Sequence, residues 1–236
     1  HRVWVVTRGQ RAVPMGAHAL IADRQDSAAF ARAIEQAQTT WDAVVDCIAY
    51  KADDVRQDIE VFASRTSHLI YVSTDFVYDP VQRRLPQDEE RAVYLSDGYG
   101  GRKRAGEMEL LAAKTTMAWS IVRPCHIYGP GSKLGCLPEH GRDEKLIERM
   151  RAGEPLRLVG GGYFLQYPVL ASDLALTILS MAGRATTFGQ IFNVAGPDLV
   201  EAREYYRIIA AILGVPLQII EVPVDAYRRG HPEAAP

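Results

Sequence analysis

The sequence predicts an α/β protein built on a doubly wound parallel sheet. Short apolar segments alternate regularly with segments whose apolar residues recur at helical spacing, and this alternation is the signature of a parallel sheet flanked by helices. The apolar segments also end on polar or glycine-containing turns, as buried parallel strands do. Beyond Gly131 the alternation becomes looser, so the sheet is assigned mainly to the residues before it.

Each predicted element follows from its local pattern. In the first helix, Phe30 and Ile34 recur at helical spacing, and Asp26 or Ser27 serves as the cap. Residues 80–97 are polar and contain proline, which predicts a loop over the site. The predicted strands are 1–9, 17–22, 41–49, 68–72, 118–122, 155–159, 191–194 and 217–222. The predicted helices are 26–38, 53–65, the segment that follows Tyr99, 142–151, 172–181 and 201–213.

Composition and charge exclude several classes of protein. With 236 residues, 47% of them hydrophobic and 24% charged, the chain is expected to be soluble and globular. A formal net charge of −2 gives no electrostatic footprint for nucleic acid or for an anionic membrane. No apolar run approaches the roughly 18 residues that span a bilayer. We therefore expect a cytoplasmic protein that binds a small molecule, with no nucleic-acid or membrane partner.

The three cysteines do not indicate a metal centre. Cys47, Cys125 and Cys136 lack the spacing of metal ligands, and Cys47 falls inside a predicted apolar strand. We expect reduced, inert thiols and no metal site.

Tyr99 and Lys103 are the two side chains whose spacing supports a reaction. They stand four residues apart at the start of a segment rich in helix formers, so they share one helix face about one turn apart. A neighbouring ammonium stabilises a phenolate, which brings the pKa of a phenol toward the working range for proton transfer. Upstream, the strand 68–72 runs into a polar end where Thr74 is placed to hold a substrate oxygen beside Tyr99. The spacing of the pair arises readily by chance, so its context must support it.

That context resembles a known family. The segments that carry the resemblance are Ser73-Thr74-Asp75-Phe76-Val77-Tyr78, Tyr99-x-x-x-Lys103, Arg123-Pro124-Cys125-His126-Ile127-Tyr128-Gly129-Pro130-Gly131, Gln166-x-Pro168-Val169-x-x-x-Asp173-Leu174-Ala175 and Phe192-Asn193-Val194-Ala195-Gly196. In this order they resemble the extended short-chain dehydrogenase/reductases, the NAD-dependent epimerase/dehydratase group that acts on nucleotide sugars. The resemblance implies a Rossmann-type sheet and a small C-terminal lobe that closes over the substrate.

The resemblance also implies a missing segment. In the family, a first strand, a glycine-rich phosphate loop and a helix precede the strand that begins here at His1, and no such glycine motif follows a strand elsewhere. Losing that central strand would leave an unpaired sheet edge and an uncovered apolar face, so we expect a longer natural chain. The implied dinucleotide-binding domain is 1–131, continued by 163–195, and the implied substrate lobe comprises 132–162 and 196–236.

By resemblance, the cofactor is NADP, with NAD as the alternative. The end of the first strand reads the adenosine ribose, and here it carries Arg8, with Arg11 nearby and no carboxylate, which favours NADP. A solvent-exposed arginine is the alternative interpretation of Arg8, and simple packing is the alternative for His126. The implied cofactor-binding residues are Arg8, Asp23, Arg24, Ala49, Tyr99, Lys103, Pro124, His126 and Ile127.

The implied chemistry is hydride transfer on a nucleotide sugar or related keto-sugar. Tyr99 is the implied general acid/base, Lys103 supports it and binds the nicotinamide ribose, and Thr74 hydrogen-bonds the same substrate oxygen. Asp75 and Gln166 join Thr74 as implied substrate contacts. Dehydration is disfavoured because Phe76 stands where the dehydratases of this family have a proton donor. The motifs leave reduction and epimerisation both open.

Two other classes remain as alternatives. One is a non-catalytic dinucleotide-binding sensor, against which the intact Tyr99 and Lys103 argue. The other is an RNA-associated member of the same fold, as in the chloroplast stem-loop-binding relatives, against which the near-neutral charge argues. The resemblance also implies a homodimer.

Overall fold

The computed structural model describes residues 1–136 and 138–231. Its strands are β1 Val3–Thr7, β2 Ala17–Ile21, β3 Val44–Asp46, β4 His68–Val72, β5 Ala118–Pro124, β6 Ile127–Tyr128, β7 Leu156–Val159, β8 Leu165–Gln166, β9 Val169–Leu170, β10 Gln190–Val194, β11 Val200–Glu201 and β12 Ile219–Val222. Its helices are α1 Ser27–Gln36, α2 Ala52–Phe62, α3 Gly98–Ala112, α4 Leu146–Arg151, α5 Ala171–Met181, α6 Ala202–Leu213 and α7 Val224–Gly230. Three short 3₁₀ turns cover Asp75–Val77, Gly160–Gly162 and Ala185–Thr187.

The chain divides into two compact units. The first comprises residues 1–123 and 178–192, and the second comprises 124–177 and the residues from 193 onward. The boundaries expected at 131, 162 and 195 stay a prediction about folding domains.

The first unit contains the predicted parallel α/β architecture. Strands β1 and β2 pair in parallel, and a separate sheet has the strand order β3-β4-β5-β10, in which the β3–β4 and β4–β5 pairs are parallel. Helices α1, α2 and α3 supply Phe30, Val55 and Leu110 to one apolar core with Leu69 and Ile121 of the strands. Ala49 and Thr74 follow the carboxyl ends of β3 and β4.

The parallel sheet is interrupted where the resemblance implies a further strand. Within residues 1–136 and 138–231, β1 has only β2 as a strand partner and β3 has only β4. Parallel sheets are normally covered on both faces, yet Val3, Ile21 and Val45 on these strands are 48%, 60% and 42% exposed. Unpaired strand edges and exposed apolar side chains therefore occur together on β1, β2 and β3.

Several local predictions hold and others are wrong. Strand β4 has the predicted bounds, and Asp26 caps α1 by accepting from the Ala29 amide at 2.9 Å. The predicted strand 41–49 is reduced to Val44–Asp46, so Cys47 is exposed after the strand rather than buried inside it. The strand stops there because the Asp46 carboxylate accepts backbone hydrogen bonds and turns the chain. The predicted helix 142–151 begins only at Leu146, and the sequence pattern does not predict α7.

The second unit has its own core. Strands β7 and β12 pair in parallel, β6 pairs with β9 in parallel, and β8 pairs with β11 antiparallel. Leu146, Leu156 and Ile209 pack with the ring of Tyr206, whose hydroxyl accepts from the Cys136 amide at 2.7 Å and donates to the Cys136 carbonyl oxygen at 3.1 Å. These short elements form the C-terminal part that the looser sequence pattern indicated.

Candidate active site

Helix α3 carries the two side chains on which the predicted chemistry depends. It begins at Gly98, which places Tyr99 in its first turn and Lys103 one turn further on. The Tyr99 side chain is 44% exposed and its ring meets that of Phe76 edge to face, with ring centres 6.3 Å apart. Lys103 is 1% exposed. One member of the pair therefore faces the surface and the other is enclosed by the protein.

Lys103 is held by carbonyl oxygens and aromatic rings. Its ammonium donates to the carbonyl oxygens of Ala49 at 2.7 Å and Val72 at 2.6 Å, and it lies 4.3 Å from the Tyr71 ring centre and 5.6 Å from that of Tyr50. Burial lowers the pKa of Lys103 to about 8, against the opposing effect of nearby carboxylates. An ammonium has three N–H donors, so these two carbonyls leave one to offer a ligand.

Thr74 lies two residues beyond the end of strand β4 and caps the 3₁₀ turn Asp75–Val77. Its side chain is buried, and Oγ1 accepts from the Phe76 amide at 3.2 Å. Because this contact uses the oxygen as an acceptor, the hydroxyl proton remains able to donate to a substrate oxygen. The next residue, Asp75, pairs with Arg83 at 3.0 Å. The loop 80–97 therefore folds back onto the turn that carries Thr74.

Gly100 brings helix α3 close to that turn. A Cβ atom at this position would lie 1.9 Å from the Phe76 carbonyl oxygen, so only glycine allows the observed approach. Gly101 makes a similar approach to the backbone of Ser96, with a Cβ distance of 2.4 Å. The start of the helix carrying Tyr99 thus rests on the turn carrying Thr74. Sequence reasoning did not identify this role for the two glycines inside the Tyr99–Lys103 segment.

The predicted cofactor residues of the first unit occupy different environments. Arg8 is exposed just beyond β1, and Asp23 is exposed beyond β2, where its side chain accepts from the Gln25 amide at 2.9 Å. Ala49 is fully buried and presents its carbonyl oxygen to Lys103. Arg24 is 8% exposed and directs its guanidinium into the protein. The predicted cofactor-binding role of Arg24 stays a prediction.

The Arg24 guanidinium belongs to a buried ionic cluster. It pairs with Asp46 and with Asp58, the latter at 3.0 Å, and donates to the Asp54 carbonyl oxygen at 2.8 Å. Burial and the neighbouring Asp46 raise the pKa of Asp58 to about 10. Although burial opposes it, hydrogen bonds from Asp58 and Arg24 hold the pKa of Asp46 below its usual value. The two carboxyl groups thus differ in tendency: burial and Asp46 favour the protonated form of Asp58, whereas hydrogen bonds favour the ionised form of Asp46.

The remaining predicted site residues lie in the second unit. Pro124, His126 and Ile127 lie at the end of β5 and the start of β6, and the His126 ring meets the Tyr205 ring edge to face at 6.4 Å. Gln166 lies in β8, and its side chain hydrogen-bonds the buried Cys136 thiol, whose pKa burial raises to about 12. Thr74, Tyr99 and Lys103 all belong to the first unit. The cofactor and substrate roles of the second-unit residues stay predictions.

The sequence analysis did not identify three residues that support the candidate site. Asp46 holds the turn leading to Ala49, Tyr50 lies beside Lys103, and Glu107 pairs with the buried Arg123. Asp46 gave a usable signal, because a charged residue in an otherwise apolar strand is rarely buried without a partner. Within the described ranges 1–136 and 138–231, no cluster of histidine, cysteine and acidic side chains could hold a metal ion, and no helix is long and apolar enough to cross a membrane.

Parallel strands connected by helices, with a tyrosine and a lysine one turn apart beyond their carboxyl ends, make this a Rossmann-type α/β protein. A model of the NAD dependent epimerase/dehydratase family matches residues 1–195. The chain belongs to that family.

The relatives that match this chain are named for different activities. The chain is 28% identical over 160 residues to the chloroplast stem-loop binding protein of 41 kDa b of Arabidopsis thaliana, a match covering 68% of this chain and 39% of that protein. It is 30% identical over 146 residues to dTDP-4-dehydro-6-deoxy-D-allose reductase of Streptomyces bikiniensis, covering 61% of this chain and 42% of that protein. The matches thus span about two fifths of these relatives.

A solved structure shows the same fold. UDP-glucose 4-epimerase of Thermus thermophilus, solved in complex with NAD, superimposes with a TM-score of 0.69 at 20% identity, covering 94% of this chain and 78% of that one.

Proposed function

We propose that the protein takes part in NAD(P)-dependent hydride transfer on a nucleotide sugar or related keto-sugar. The observation that carries the proposal is the fixed position of the Lys103 ammonium, one helical turn from Tyr99 and held by the carbonyl oxygens of Ala49 and Val72. In this proposal Tyr99 transfers a proton to or from the substrate oxygen, and Thr74 donates a hydrogen bond to that oxygen.

The residues present fit the nicotinamide-ribose end of the cofactor. Lys103 retains an N–H that its two carbonyl partners do not use, and the buried, small Ala49 allows close approach of a ligand. A bound nicotinamide supplies or accepts the hydride. Lys103 orients the ribose and stabilises the phenolate of Tyr99, while Tyr99 moves the proton. Contacts to the pyrophosphate are not assigned to these residues, because no glycine-rich motif follows a strand in the sequence.

We favour NADP as the cofactor, with NAD as the alternative. Arg8 is exposed just beyond β1, and no carboxylate lies between it and Arg11, so a ribose phosphate would meet an arginine rather than an acid. NAD is the ligand in the Thermus thermophilus epimerase structure, which supports a dinucleotide of this class but does not separate the two cofactors.

Phe76 supports reduction or epimerisation over dehydration. Its side chain is 53% exposed and its ring meets that of Tyr99, so a hydrocarbon occupies the position beside the proposed acid/base. Elimination of water needs a proton donor for the leaving hydroxyl, and phenylalanine has no proton to give. The name of the Streptomyces bikiniensis relative, a keto-sugar reductase, supports reduction.

Spectrophotometry with NADPH and NADH tests the proposal. Each cofactor is mixed with the protein and a panel of nucleoside-diphosphate keto-sugars, and loss of the near-ultraviolet absorbance of the reduced nicotinamide is followed. For epimerisation, UDP-sugars are incubated with NAD and the products are separated by chromatography. Consumption of NADPH or formation of an epimer supports the proposal. Cofactor binding without turnover on any sugar would favour the sensor and overturn the enzymatic assignment.

RNA binding is the second candidate, because the Arabidopsis thaliana relative is named for binding a stem-loop. A labelled RNA stem-loop and a single strand of the same composition are titrated with protein at low and at physiological salt. Preference for the stem-loop that survives physiological salt would support this candidate. Weak binding that disappears with salt, as the net charge of −2 leads us to expect, would exclude it.

A further inference from the structure

The Asp46 carboxylate makes different hydrogen bonds with its two oxygens. Oδ1 accepts from the backbone amides of Ile48 at 2.6 Å and Ala49 at 2.7 Å. Oδ2 accepts from the Arg24 guanidinium, and the Asp58 carboxyl group also hydrogen-bonds the Asp46 side chain. Asp46 is 7% exposed, so both sets of contacts are shielded from water. The carboxylate therefore connects the buried ionic cluster to the turn that follows β3.

That turn places the carbonyl group that holds Lys103. The Ala49 amide is fixed by Asp46, and the Ala49 carbonyl oxygen accepts from the Lys103 ammonium at 2.7 Å. The same oxygen accepts from the Tyr71 hydroxyl at 3.4 Å. The other partner of Lys103, the Val72 carbonyl, is carried by β4 itself. Of the two carbonyls that fix the ammonium, one thus depends on an irregular turn that needs its own support.

We infer that Asp46 is a positioning residue for Lys103, acting through the turn at Ile48 and Ala49, and that Arg24 orients Asp46 for this role. The geometric part of the inference stands alone, whereas its consequence for turnover rests on the proposed function. The carboxylate oxygens bind the turn and the guanidinium, and the ammonium binds the Ala49 carbonyl. The effect of Asp46 on the position of Lys103 therefore passes through the backbone of Ala49, while the charge of Asp46 also acts through space and raises the pKa of the ammonium. Asp46→Asn and the double variant both lose this charge, so a difference between them reports on position.

A carboxylate is required because both of its oxygens accept hydrogen bonds. Asparagine has one acceptor oxygen and one donor group. In an Asp46→Asn variant, the side-chain oxygen can accept from the backbone amides of Ile48 and Ala49 only if the side-chain NH₂ group faces the Arg24 guanidinium. In the reverse orientation, the side-chain NH₂ group points at the two backbone N–H groups. Either orientation leaves two sets of donors facing each other in a buried site.

Replacing Arg24 as well removes this conflict. In an Arg24→Met/Asp46→Asn double variant, the oxygen of the introduced asparagine can return to the two backbone amides. Its N–H groups can donate to Asp58, which is 2% exposed and pairs with Arg24 in the native chain. The double variant is thus predicted to restore the turn although it has lost the ion pair. An ion pair that only stabilises the fold predicts the opposite order, with the double variant no better than the single one.

The experiment compares the native chain, Asp46→Asn, the double variant and Asp53→Asn. Asp53 is the matched control, because it is an exposed acid in the first turn of α2 whose side chain pairs with Arg56. Hydrogen exchange by NMR measures the Ile48 and Ala49 amides and the Lys103 ammonium protons in ¹⁵N-labelled protein. Thermal denaturation measures global stability, and kcat and KM are measured with the reduced cofactor.

The inference predicts about tenfold faster exchange at Ile48, Ala49 and the Lys103 ammonium in Asp46→Asn. Recovery of all three toward the native rates is expected in the double variant, and no change in Asp53→Asn. It is overturned if the ammonium exchanges at the native rate while the two amides exchange faster, or if the double variant exchanges no more slowly than Asp46→Asn.

Turnover separates this inference from the proposed function. If the native chain consumes no cofactor, the proposed function fails while the exchange measurements still decide the inference. If it is active, the inference predicts that Asp46→Asn lowers kcat more than it raises KM, and that the double variant regains part of kcat.

Discussion

Glu107 and Arg123 form a fully buried, bidentate ion pair. Arg123 donates through Nε to Oε1 at 2.9 Å and through Nη2 to Oε2 at 2.7 Å, and both side chains are 0% exposed. Arg123 also donates to the Tyr78 hydroxyl at 2.7 Å and to the Glu89 carbonyl oxygen at 3.2 Å. A single guanidinium thus connects helix α3, strand β5 and the loop that folds over the Thr74 turn.

Glu107→Gln is expected to destabilise the protein by about 3 to 5 kcal/mol, because removing one partner leaves the other charge buried and uncompensated. The free energy of unfolding is measured by urea denaturation. Glu204→Gln is the control, since Glu204 pairs with Arg207 on the exposed face of α6. An unfolding midpoint for Glu107→Gln that matches the control would contradict the structural role of the pair.

Gly100→Ala is expected to displace the start of α3. The added Cβ would lie 1.9 Å from the Phe76 carbonyl oxygen, and the backbone must move to relieve that contact. Overpacking of this kind costs about 1 to 3 kcal/mol, and turnover should fall because Tyr99 and the Thr74 turn move apart. Gly230→Ala is the control, with no atom within 4 Å of its added Cβ. Equal stability and equal kcat in the two variants would show that the close approach has no consequence.

His68 predicts a loss of stability at acidic pH. Its Nδ1 accepts from the Gly183 amide at 3.2 Å, and its Nε2 faces the Ser120 hydroxyl at 2.8 Å, which itself donates to the Thr187 carbonyl oxygen at 2.5 Å. This arrangement fits a neutral ring with its proton on Nε2. Burial lowers the pKa of His68, whereas the unfolded chain has a pKa of about 6.5.

The unfolded state therefore binds more protons, and stability rises with pH between the folded and unfolded pKa values. The contribution is complete above about pH 6.5 and is lost as the pH falls below it, by at most about 1.4 kcal/mol per pH unit. Urea midpoints measured from about pH 5 to 7.5 check this. His68→Asn should be less stable at neutral pH but should lose part of this slope. An unchanged slope would show that another group causes it.

Lys103 predicts an alkaline limit to activity. Burial lowers its pKa to about 8, and the neutral amine no longer stabilises a phenolate. The pH profile of kcat/KM for the reduced cofactor reports the free protein, so it should fall above a pKa of about 8. A profile that stays level until well beyond this value would show that the charge of Lys103 is not needed.

The local features of the fold could be predicted from the sequence because they depend on short-range patterns. The apolar run of β4 lies between polar breaks, and the prediction of both of its ends is confirmed. The positions of Tyr99 and Lys103 on one helix follow from their spacing. No local pattern predicts the break in the sheet beside β1 and β3. That expectation came from the absence of a glycine-rich motif after a strand in the sequence.

The supporting charges could not be predicted because their partners lie far apart in the sequence. Arg24 reaches Asp46 and Asp58 across 22 and 34 residues, and Arg123 reaches Tyr78 across 45. Spacing identifies residues that share one helix or strand, and it says nothing about such pairs. The family resemblance implied a cofactor-binding role for Arg24. It did not indicate the buried ionic cluster in which the Arg24 guanidinium lies.

Tyr99 is the group that transfers the proton in the proposed mechanism, and no other side chain can replace its hydroxyl there. Tyr99→Phe removes the hydroxyl and keeps the ring that meets Phe76. The decisive measurement pairs its turnover with its cofactor affinity, determined by fluorescence titration. We predict that turnover is abolished while the cofactor dissociation constant stays within a few-fold of native. A variant that retains the native rate would contradict the proposed mechanism.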